Sequence, residues 1–501
     1  MLDSGALRVI AICLFMLVVV RRGWLCDDAF ISLRYVDNLV HGYGLVFNPG
    51  DRVQGFTNPL WVLLLAIPHF FFREPYWVCL VLSLVVALAG VLVLAYGVAR
   101  DASSGALAVF ALTFTQAYTD FSTSGLENPL GHLLLAAFLA LFLVPEWRIR
   151  HARWLWLLAG LLLLHRLDTL LFVAPPLVLL FRKLAWRRSL RFALVGFAPI
   201  IAWELFSLTY YGFLLPNTAI AKLNIDIPRE ELLGQGVIYL IDSLERDPLT
   251  GLLIACGVVA GFRSRDLARR LVAVGILMAL AYVSWVAGDF MLGRFLSMPL
   301  IASVCLLASS FPEPLERAQA LVAAGVLAVL VLVTPFNPFH ENHGDKKVPK
   351  SGIANERDWY VEQTGVLANL RAQAYRSYSW FREGRQMAEQ GKRAAIHCNA
   401  GMVGYGAGPS VQVVDLAGLT DAFLARLDYK YRADWRTAHW AREVPTGYLE
   451  TLSEGKNLIV DPKLRQYYEK IHLVTAGPIF SLERLKTAWA LSLGAYDSLL
   501  E

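Results

Sequence analysis

Two adjacent aspartates, Asp27 and Asp28, follow the first apolar run of the chain. Apolar residues recur at helical spacing after them, so an amphipathic helix is predicted over residues 29–41, lying on the outer membrane surface. A carboxylate that is ionised near neutral pH can take a proton from a hydroxyl group. Two adjacent like charges raise the pKa of one of them, which favours a general base. The alternative is that Asp28 caps the helix and Asp27 interacts with its dipole.

Three cations, Arg166, Lys222 and Arg294, lie in or beside apolar runs, where an unpaired charge is costly and usually functional. Arginine offers a fork of donors to phosphate oxygens, and lysine offers a compact charge. These residues are therefore predicted to bind a phosphate group. The alternative is that Arg166 pairs with Asp168 and Arg294 pairs with Asp289, although an ion pair can still contact a ligand.

Three further segments, residues 124–129, 215–222 and 288–295, contain Glu127, Asn217 and Asp289. Each segment alone is typical of a span cap or a turn. Together they are expected on the same side of the membrane as the aspartate pair. The candidate functional residues are therefore predicted to lie on one face of the membrane.

The composition of the chain indicates a membrane protein. The chain has 501 residues, of which 56% are hydrophobic and 17% charged, and its long apolar runs predict a polytopic membrane protein. A secreted disulfide scaffold, a disordered regulator and a compact cytosolic enzyme are excluded. The 46 basic and 41 acidic residues give no concentrated basic face, so no nucleic-acid partner is expected. Six scattered cysteines indicate no metal or redox site, and no cofactor is expected.

The apolar runs predict about 11 transmembrane helices. The run at 57–72 is short, contains two prolines and ends near His69, so an interfacial helix is predicted there. The loops on one face then carry fourteen Lys and Arg residues, which makes that face cytoplasmic. Arg21 and Arg22, at the outer end of the first run, oppose this orientation. The runs are 7–25, 57–72, 76–98, 104–119, 128–145, 154–166, 167–181, 190–211, 248–262, 270–287, 295–311 and 318–334.

Charge density divides the chain in two. Residues 1–335 contain 47 charged side chains and residues 336–501 contain 40, so the second part has the charged fraction of a soluble domain. We predict a transmembrane catalytic domain over 1–335, with a first outer loop at 26–75, and an extracytoplasmic α/β domain over 336–501. In that domain a helical pattern spans 357–390, and another spans 464–471. Short strands are predicted at 394–397, 411–414 and 457–460, and glycines at 401, 404, 406 and 408 are interpreted as loops.

At these residues the sequence resembles the C-type (GT-C) superfamily of polytopic glycosyltransferases, in which a carboxylate pair follows the first span. It is most similar to the terminal β-1,2 arabinofuranosyltransferases of actinobacterial cell walls. The matching segments run almost the full chain: residues 27–32 with 46–53, 124–127, 166–168, 215–218, 288–291 and 415–421. Two segments depart from the family. Gln54-Gly55-Phe56-Thr57 stands where relatives often have Glu-Gly-Tyr-Thr, and Ala438-His439-Trp440-Ala441 stands at a Gly-His-Glu-Lys-like segment.

The resemblance implies a polyprenyl-phosphoryl sugar donor, arabinofuranose in the nearest group, and no nucleotide. It also implies that Asp27 or Asp28 is the base, and that the acceptor is an extracytoplasmic hydroxyl of a surface glycan, a glycolipid or an exported protein such as a pilin. The enzyme is expected in the cytoplasmic (inner) membrane, in contact with lipids, with its active site outside. The residues predicted to bind substrate are Arg34, Asn58, Glu127, Asp168, Asn217, Asp289 and His439.

The predicted reaction is a single displacement with inversion, in which one carboxylate deprotonates the acceptor while cations hold the leaving phosphate. A second hypothesis is a secondary transporter or flippase with Arg166, Asp168 and Glu204 along its pathway. It leaves the aspartate pair and the outer domain unexplained. A third hypothesis is a scaffold for glycan assembly without catalytic activity.

Overall fold

The described residues are mostly helical. The computed structural model describes residues 3–144, 147–310, 314–339, 346 and 348–500. Two short strands pair in parallel, β1 (Ala394–His397) and β2 (Gln412–Asp415), with Ala394 opposite Gln412. The α-helices are Ser4–Arg21, Asp27–Val40, Pro59–Phe72, Pro75–Leu92, Ala102–Thr113, Gln116–Thr119, Asn128–Phe142, Trp147–Arg150, Ala152–His165, Leu170–Lys183, Trp186–Gly196, Ala198–Tyr210, Asn217–Leu223, Arg229–Arg246, Pro248–Arg263, Leu267–Trp285, Ser297–Ser310, Arg317–Val333, Glu356–Thr364, Val366–Arg371, Ser379–Glu389, Gly401–Ala407, Tyr448–Glu454, Pro462–Ala476 and Leu482–Ser492.

Several helices are long and apolar enough to cross a bilayer. Ser4–Arg21 and Leu267–Trp285 meet this condition singly, as does Pro75–Val98, in which Pro75–Leu92 continues as a π-helix over Val93–Val98. Trp186–Gly196 with Ala198–Tyr210 meets it as a pair bent by 51°. Other apolar helices in the described ranges have 10–17 residues. The chain is thus a multi-pass membrane protein, while the arrangement of eleven spans stays a prediction. The predicted runs 128–145 and 295–311 end at residues outside the described ranges.

One compact unit consists of residues 1–25, 79–200 and 229–370. Its helices pack in pairs, such as Ser4–Arg21 against Ala102–Thr113 and Leu170–Lys183 against Leu267–Trp285. Glycines allow the closest approaches: a Cβ atom on Gly160 would lie 2.0 Å from the carbonyl oxygen of Gly196. Small residues at such contacts let helix backbones pack tightly in membranes.

Arg22 is neutralised inside this unit. Its Nη2 lies 2.8 Å from Oδ1 of Asp120, and both side chains are almost completely buried. The backbone carbonyl of Arg22 also accepts a hydrogen bond from Nε of Arg357. Because Arg22 is paired inside the protein, its charge does not require a cytoplasmic surface. Arg22 is therefore only weak evidence against the predicted orientation.

The other compact unit consists of residues 26–78, 201–228 and 371–501. The helix Asp27–Val40 packs against Gly401–Ala407 and against Pro59–Phe72. A hydrophobic core in this unit surrounds Phe423 and contains Tyr448, Ile459 and Ile471. These units do not coincide with the predicted division after residue 335, which remains a prediction about where the membrane domain ends.

Several local predictions were wrong. Residues 457–460 form no strand, and the pattern over 357–390 is divided among Glu356–Thr364, Val366–Arg371 and Ser379–Glu389 with short turns between them. The helix predicted over residues 29–41 is present as Asp27–Val40, but ten of its fourteen residues are buried, more than an amphipathic helix implies, and its position at the membrane surface stays a prediction. Gly401, Gly404 and Gly406 lie within a helix and not in loops.

Candidate active site

Asp27 stands at the first helical position of Asp27–Val40 and is 7% exposed. Its Oδ1 accepts a hydrogen bond of 2.7 Å from the backbone N–H of Met402, and its Oδ2 accepts one of 3.1 Å from that of Gly401. These amides begin the helix Gly401–Ala407 and have no partner inside it. Asp27 therefore caps a helix that is distant in sequence, while Cys26 occupies the cap position of its own helix.

Burial raises the pKa of the Asp27 carboxyl to about 7. The hydrogen bond from Met402 lowers this pKa, the charge of Asp28 raises it, and the hydrogen bond from Gly401 lowers it. The direction agrees with the prediction from adjacent like charges, but burial is the larger cause. Asp28 is half-buried. The pair thus offers a carboxyl that titrates in the range where a general base works best.

Glycine is required where the two helices meet. A Cβ atom on Gly401 would lie 1.9 Å from the carbonyl oxygen of Asp27, and one on Gly404 would lie 2.6 Å from the ring of Phe47. No side chain fits at such distances, so the glycine spacing of this helix is a packing requirement. It brings the backbone of residues 401 and 402 to the Asp27 carboxylate.

Arg34 is buried and joins separate parts of its unit. Its Nε donates to the carbonyl oxygen of Phe47 at 2.7 Å, and its Nη2 donates to the carbonyl oxygen of Val411 at 2.9 Å and to Asn48 Oδ1 at 3.0 Å. Its Nη1 donates to the carbonyl oxygen of Gly404. The guanidinium is thus occupied by internal acceptors, an arrangement that stabilises the loops around the aspartate pair. A substrate-binding role for Arg34 stays a prediction.

Asn48, in the segment Val46-Phe47-Asn48-Pro49-Gly50, pairs with β2. Its Nδ2 donates to the carbonyl of Val413 at 3.1 Å, and its Oδ1 accepts from the N–H of Val413 at 3.0 Å. The side-chain amide therefore pairs with β2 as the backbone of a neighbouring strand would. The sequence alone predicts no role for Asn48, although it lies inside a family-like segment.

Asn217 holds the loop after β2. Its Nδ2 donates to the carbonyl oxygens of Gly418, Leu419 and Asp421 at 2.7, 3.1 and 3.2 Å. Its backbone N–H donates to the carbonyl of Gln54 at 2.9 Å. The segments at 54–57, 215–218 and 415–421 are therefore bonded to one another. Two family-like segments, 215–218 and 415–421, and the departing segment 54–57 thus form one structural joint, and substrate binding by Asn217 stays a prediction.

Two aspartates organise that same loop. Asp415 accepts hydrogen bonds from the amides of Ala417 and Leu419 at 2.9 and 2.7 Å. Asp421 accepts one of 2.8 Å from the hydroxyl of Tyr448. Burial raises the pKa of each carboxyl to about 6, against the lowering effect of these hydrogen bonds. Both residues lie in a family-like segment, but the sequence predicts no role for either of them.

Gln54, where the family resemblance implies glutamate, uses both polar atoms of its amide. Its Oε1 accepts a hydrogen bond of 2.9 Å from the hydroxyl of Ser207, and its Nε2 donates to the carbonyl of Phe56 at 3.2 Å. The side chain is 5% exposed. A neutral amide suits this position because both of its polar atoms are satisfied without burying a charge.

A second cluster lies in the other compact unit around Glu127. Its Oε1 accepts from Nη1 of Arg166 at 2.8 Å and from Nη2 of Arg294 at 3.2 Å. Arg166 also makes a two-point contact with Asp168, at 3.0 and 2.8 Å. Nη1 of Arg294 lies 3.5 Å from Oδ2 of Asp289. These five residues come from three separate predicted segments, so the structure brings the segments together and forms both anticipated ion pairs.

Glu127 is the buried centre of this cluster. Burial raises the pKa of its carboxyl, but the charges of Arg294 and Arg166 lower it by more, so the pKa lies well below its usual range. Glu127 therefore stays ionised. A cleft of about 540 Å³, including space open to solvent, borders the cluster and is lined in part by His165, Phe295 and Tyr282.

The remaining predicted residues are not part of the Glu127 cluster. Lys222 is exposed near the end of Asn217–Leu223, and Asn58 is buried at the start of Pro59–Phe72. His439 is exposed, with Nδ1 at 3.0 Å from the carbonyl of Thr437. All three belong to the unit of the aspartate pair. No group of three or more His, Cys, Asp or Glu residues with the geometry of a metal site occurs among the described residues.

Two arabinofuranosyltransferases, by their names, are similar to the chain over most of its length. It is 27% identical to the terminal β-(1→2)-arabinofuranosyltransferase of Mycobacterium tuberculosis, over 81% of this chain and 79% of that protein. It is also 27% identical to the protein of the same name from Corynebacterium glutamicum, over 81% of this chain and 71% of that protein. No protein-family model matches the chain. These relatives confirm the resemblance drawn from the sequence and support a membrane glycosyltransferase.

Proposed function

We propose that this relative of the terminal arabinofuranosyltransferases transfers a sugar, arabinofuranose, from a polyprenyl-phosphate donor to a hydroxyl group outside the membrane. The observation that carries the proposal is the aspartate pair at the start of Asp27–Val40, where burial raises the pKa of Asp27 to about 7. A carboxylate of this kind is suited to accept the proton of an attacking alcohol.

The reaction is a single displacement. Asp27 or Asp28 removes the proton of the acceptor hydroxyl as its oxygen bonds to the anomeric carbon, and the bond from that carbon to the phosphate oxygen breaks. Attack opposite the leaving group inverts the configuration, as in inverting glycosidases. A polyprenyl tail needs hydrocarbon and its phosphate needs polar partners at the membrane boundary, which a polytopic enzyme supplies.

The leaving phosphate requires cationic partners. Lys222 and Arg166 are the best candidates, because Lys222 is exposed and the side chain of Arg166 is 21% exposed. Arg294 is the weakest of the predicted phosphate ligands, because its side chain is only 12% exposed and its guanidinium contacts both Glu127 and Asp289. Asn58 and His439, in the unit of the aspartate pair, remain proposed substrate contacts.

The acceptor is proposed to be a surface glycan, a glycolipid or an exported protein such as a pilin. The active site and the C-terminal residues are proposed to lie outside the cytoplasmic membrane. The fourteen basic residues of the opposite predicted loops support this orientation.

The test uses purified protein in detergent with radiolabelled polyprenyl-phosphoryl arabinose and an arabinan oligosaccharide acceptor. Wild-type protein is expected to transfer label, and the Asp27→Asn, Asp28→Asn double variant is expected to lose at least about 100-fold in rate. Asp37→Asn, on the same helix, is the matched control and should keep activity. Undiminished transfer by a folded double variant would refute the proposed base, and absence of transfer by the wild type would favour a transporter or scaffold.

A further inference from the structure

The cleft beside Glu127 has the chemistry of a carbohydrate site. Aromatic side chains line it together with charged residues. The guanidinium carbons of Arg166 and Arg294 lie 5.5 and 5.8 Å from the centre of the Phe295 ring, so the ring packs beside both cations.

The charges of the cleft favour a neutral ligand. Glu127 and Asp168 line the cleft opposite the guanidiniums of Arg166 and Arg294, so the charges of the lining balance. Asp289 does not line the cleft but pairs with Arg294, which brings the cluster to three carboxylates against two guanidiniums. A phosphate placed deep in this cluster would meet an excess of negative charge, whereas hydroxyl groups can donate to carboxylates and accept from guanidiniums. An anion is tolerated only near the opening, where Arg166 retains exposed surface.

Two buried polar atoms of the lining point to a hydrogen-bonding ligand. Within the described ranges, Nδ1 of His165 and Oδ1 of Asn128 have no hydrogen-bond partner. The two residues are 1% and 7% exposed, and both line the cleft. Buried polar groups of this kind are normally satisfied. The donors and acceptors of a sugar would satisfy them after each side chain turns toward the cleft, because neither atom has exposed surface in this structure.

We propose that this cleft binds the hydroxyl groups of a furanose ring, with Glu127 and Asp168 as acceptors, His165 and Asn128 as additional partners, and Phe295 beside the ring. The identity of the sugar as a furanose rests on the proposed function. The ring belongs either to the donor or to the terminal sugar of the acceptor, and the chemistry of the site is the same for both.

A matched histidine pair provides the test. His165→Phe removes hydrogen bonding from the cleft while keeping an aromatic ring. His132→Phe makes the same change at a buried histidine that stacks on Tyr118 and does not line the cleft. Binding of methyl arabinofuranoside to the full chain is measured by calorimetry. His165→Phe should weaken it about tenfold, the effect of one hydrogen bond of roughly 1.4 kcal/mol, and His132→Phe should change it less than about twofold.

A second variant does not depend on histidine chemistry. Ala279 lines the cleft, so Ala279→Leu should fill part of it and weaken binding of the furanoside at least about tenfold. The site is refuted if the wild type does not bind the furanoside, or if both His165→Phe and Ala279→Leu bind it as the wild type does. Because this readout is binding, it can succeed even where transferase activity is absent and the proposed function fails.

Three larger probes separate the sources of the ring. If the variants weaken binding of polyprenyl-phosphoryl arabinose but not of sugar-free polyprenyl phosphate, the cleft holds the donor sugar. If they weaken binding of an arabinan oligosaccharide and spare the donor, it holds the acceptor end. Equal weakening for sugar-free polyprenyl phosphate would overturn the proposal in favour of a phosphate site.

Discussion

The carboxylate of Asp27 accepts a 2.7 Å hydrogen bond from the backbone N–H of Met402, which lies 375 residues later in the chain. One of the two aspartates predicted as the base is therefore also a structural link to the helix Gly401–Ala407. A substitution of Asp27 affects both roles, so its effects on rate and on stability must be separated.

The rate of transfer should depend on the protonation of Asp27. A base acts in its ionised form, and the pKa of this carboxyl is raised to about 7, so the rate is expected to rise with pH and level off above about 7. The pH profile of kcat/KM for the wild type measures this. If Asp28→Asn abolishes activity and Asp27→Asn retains it with no inflection near pH 7, Asp28 is the base and Asp27 positions it.

Stability should show the opposite dependence on pH. The folded protein holds a proton on Asp27 between about pH 4 and 7, where the unfolded chain has released it. The free energy of unfolding therefore falls as pH rises through this window, by up to about 1.4 kcal/mol per pH unit. Denaturant unfolding of wild type and Asp27→Asn in detergent tests this, because the variant should lack this slope. Parallel pH profiles for the two proteins would contradict it.

Gly401→Ala should push the helix Gly401–Ala407 away from the helix Asp27–Val40. The new Cβ atom would lie 1.9 Å from the carbonyl oxygen of Asp27, so the backbone must move, at a cost of about 1–3 kcal/mol. Transfer activity should fall with it. Gly234→Ala is the control, because a Cβ atom on that helical glycine would have no heavy atom within 4 Å, and the change should be neutral or slightly stabilising. Equal behaviour of the two variants would rule out the tight contact.

The sequence predicts the Glu127 cluster better than it predicts the surroundings of Asp27. Arg166 and Asp168 are two residues apart, and Arg294 and Asp289 are five apart, so local spacing alone suggested their ion pairs. The contacts of Asp27 with residues 401 and 402 depend on folding over the whole chain, which no spacing reports. The glycines of that helix were interpreted as loops for the same reason. Their spacing meets the packing requirement of a contact with residues distant in sequence, which the local pattern does not report.

Asn217→Asp should weaken the joint that binds residues 415–421. The substitution keeps the shape of the side chain but places an oxygen against the carbonyls of Gly418 and Leu419, where Nδ2 now donates. The loss of these buried bonds is expected to cost about 2–3 kcal/mol in the free energy of unfolding.

The control for this variant is Asn457→Asp, which removes a more exposed bond of the same type to the carbonyl of Arg465. It should cost less than about 1 kcal/mol. Denaturant unfolding of both variants measures the difference. A cost for Asn217→Asp no larger than that of the control would show that the joint contributes little to stability.

Ala438→Gly should stabilise the protein. Ala438 has φ of 62°, in the left-handed region that favours glycine. The family resemblance implies glycine at this position, before His439. Relief of this strain is expected to add about 1 kcal/mol to the free energy of unfolding. Ala433→Gly, in the same segment and without positive φ, is the control and should be neutral or destabilising because it only adds freedom to the unfolded chain. A gain in melting temperature for Ala438→Gly and none for Ala433→Gly would confirm that this departure from the family is tolerated at a cost in strain, while equal changes would refute it.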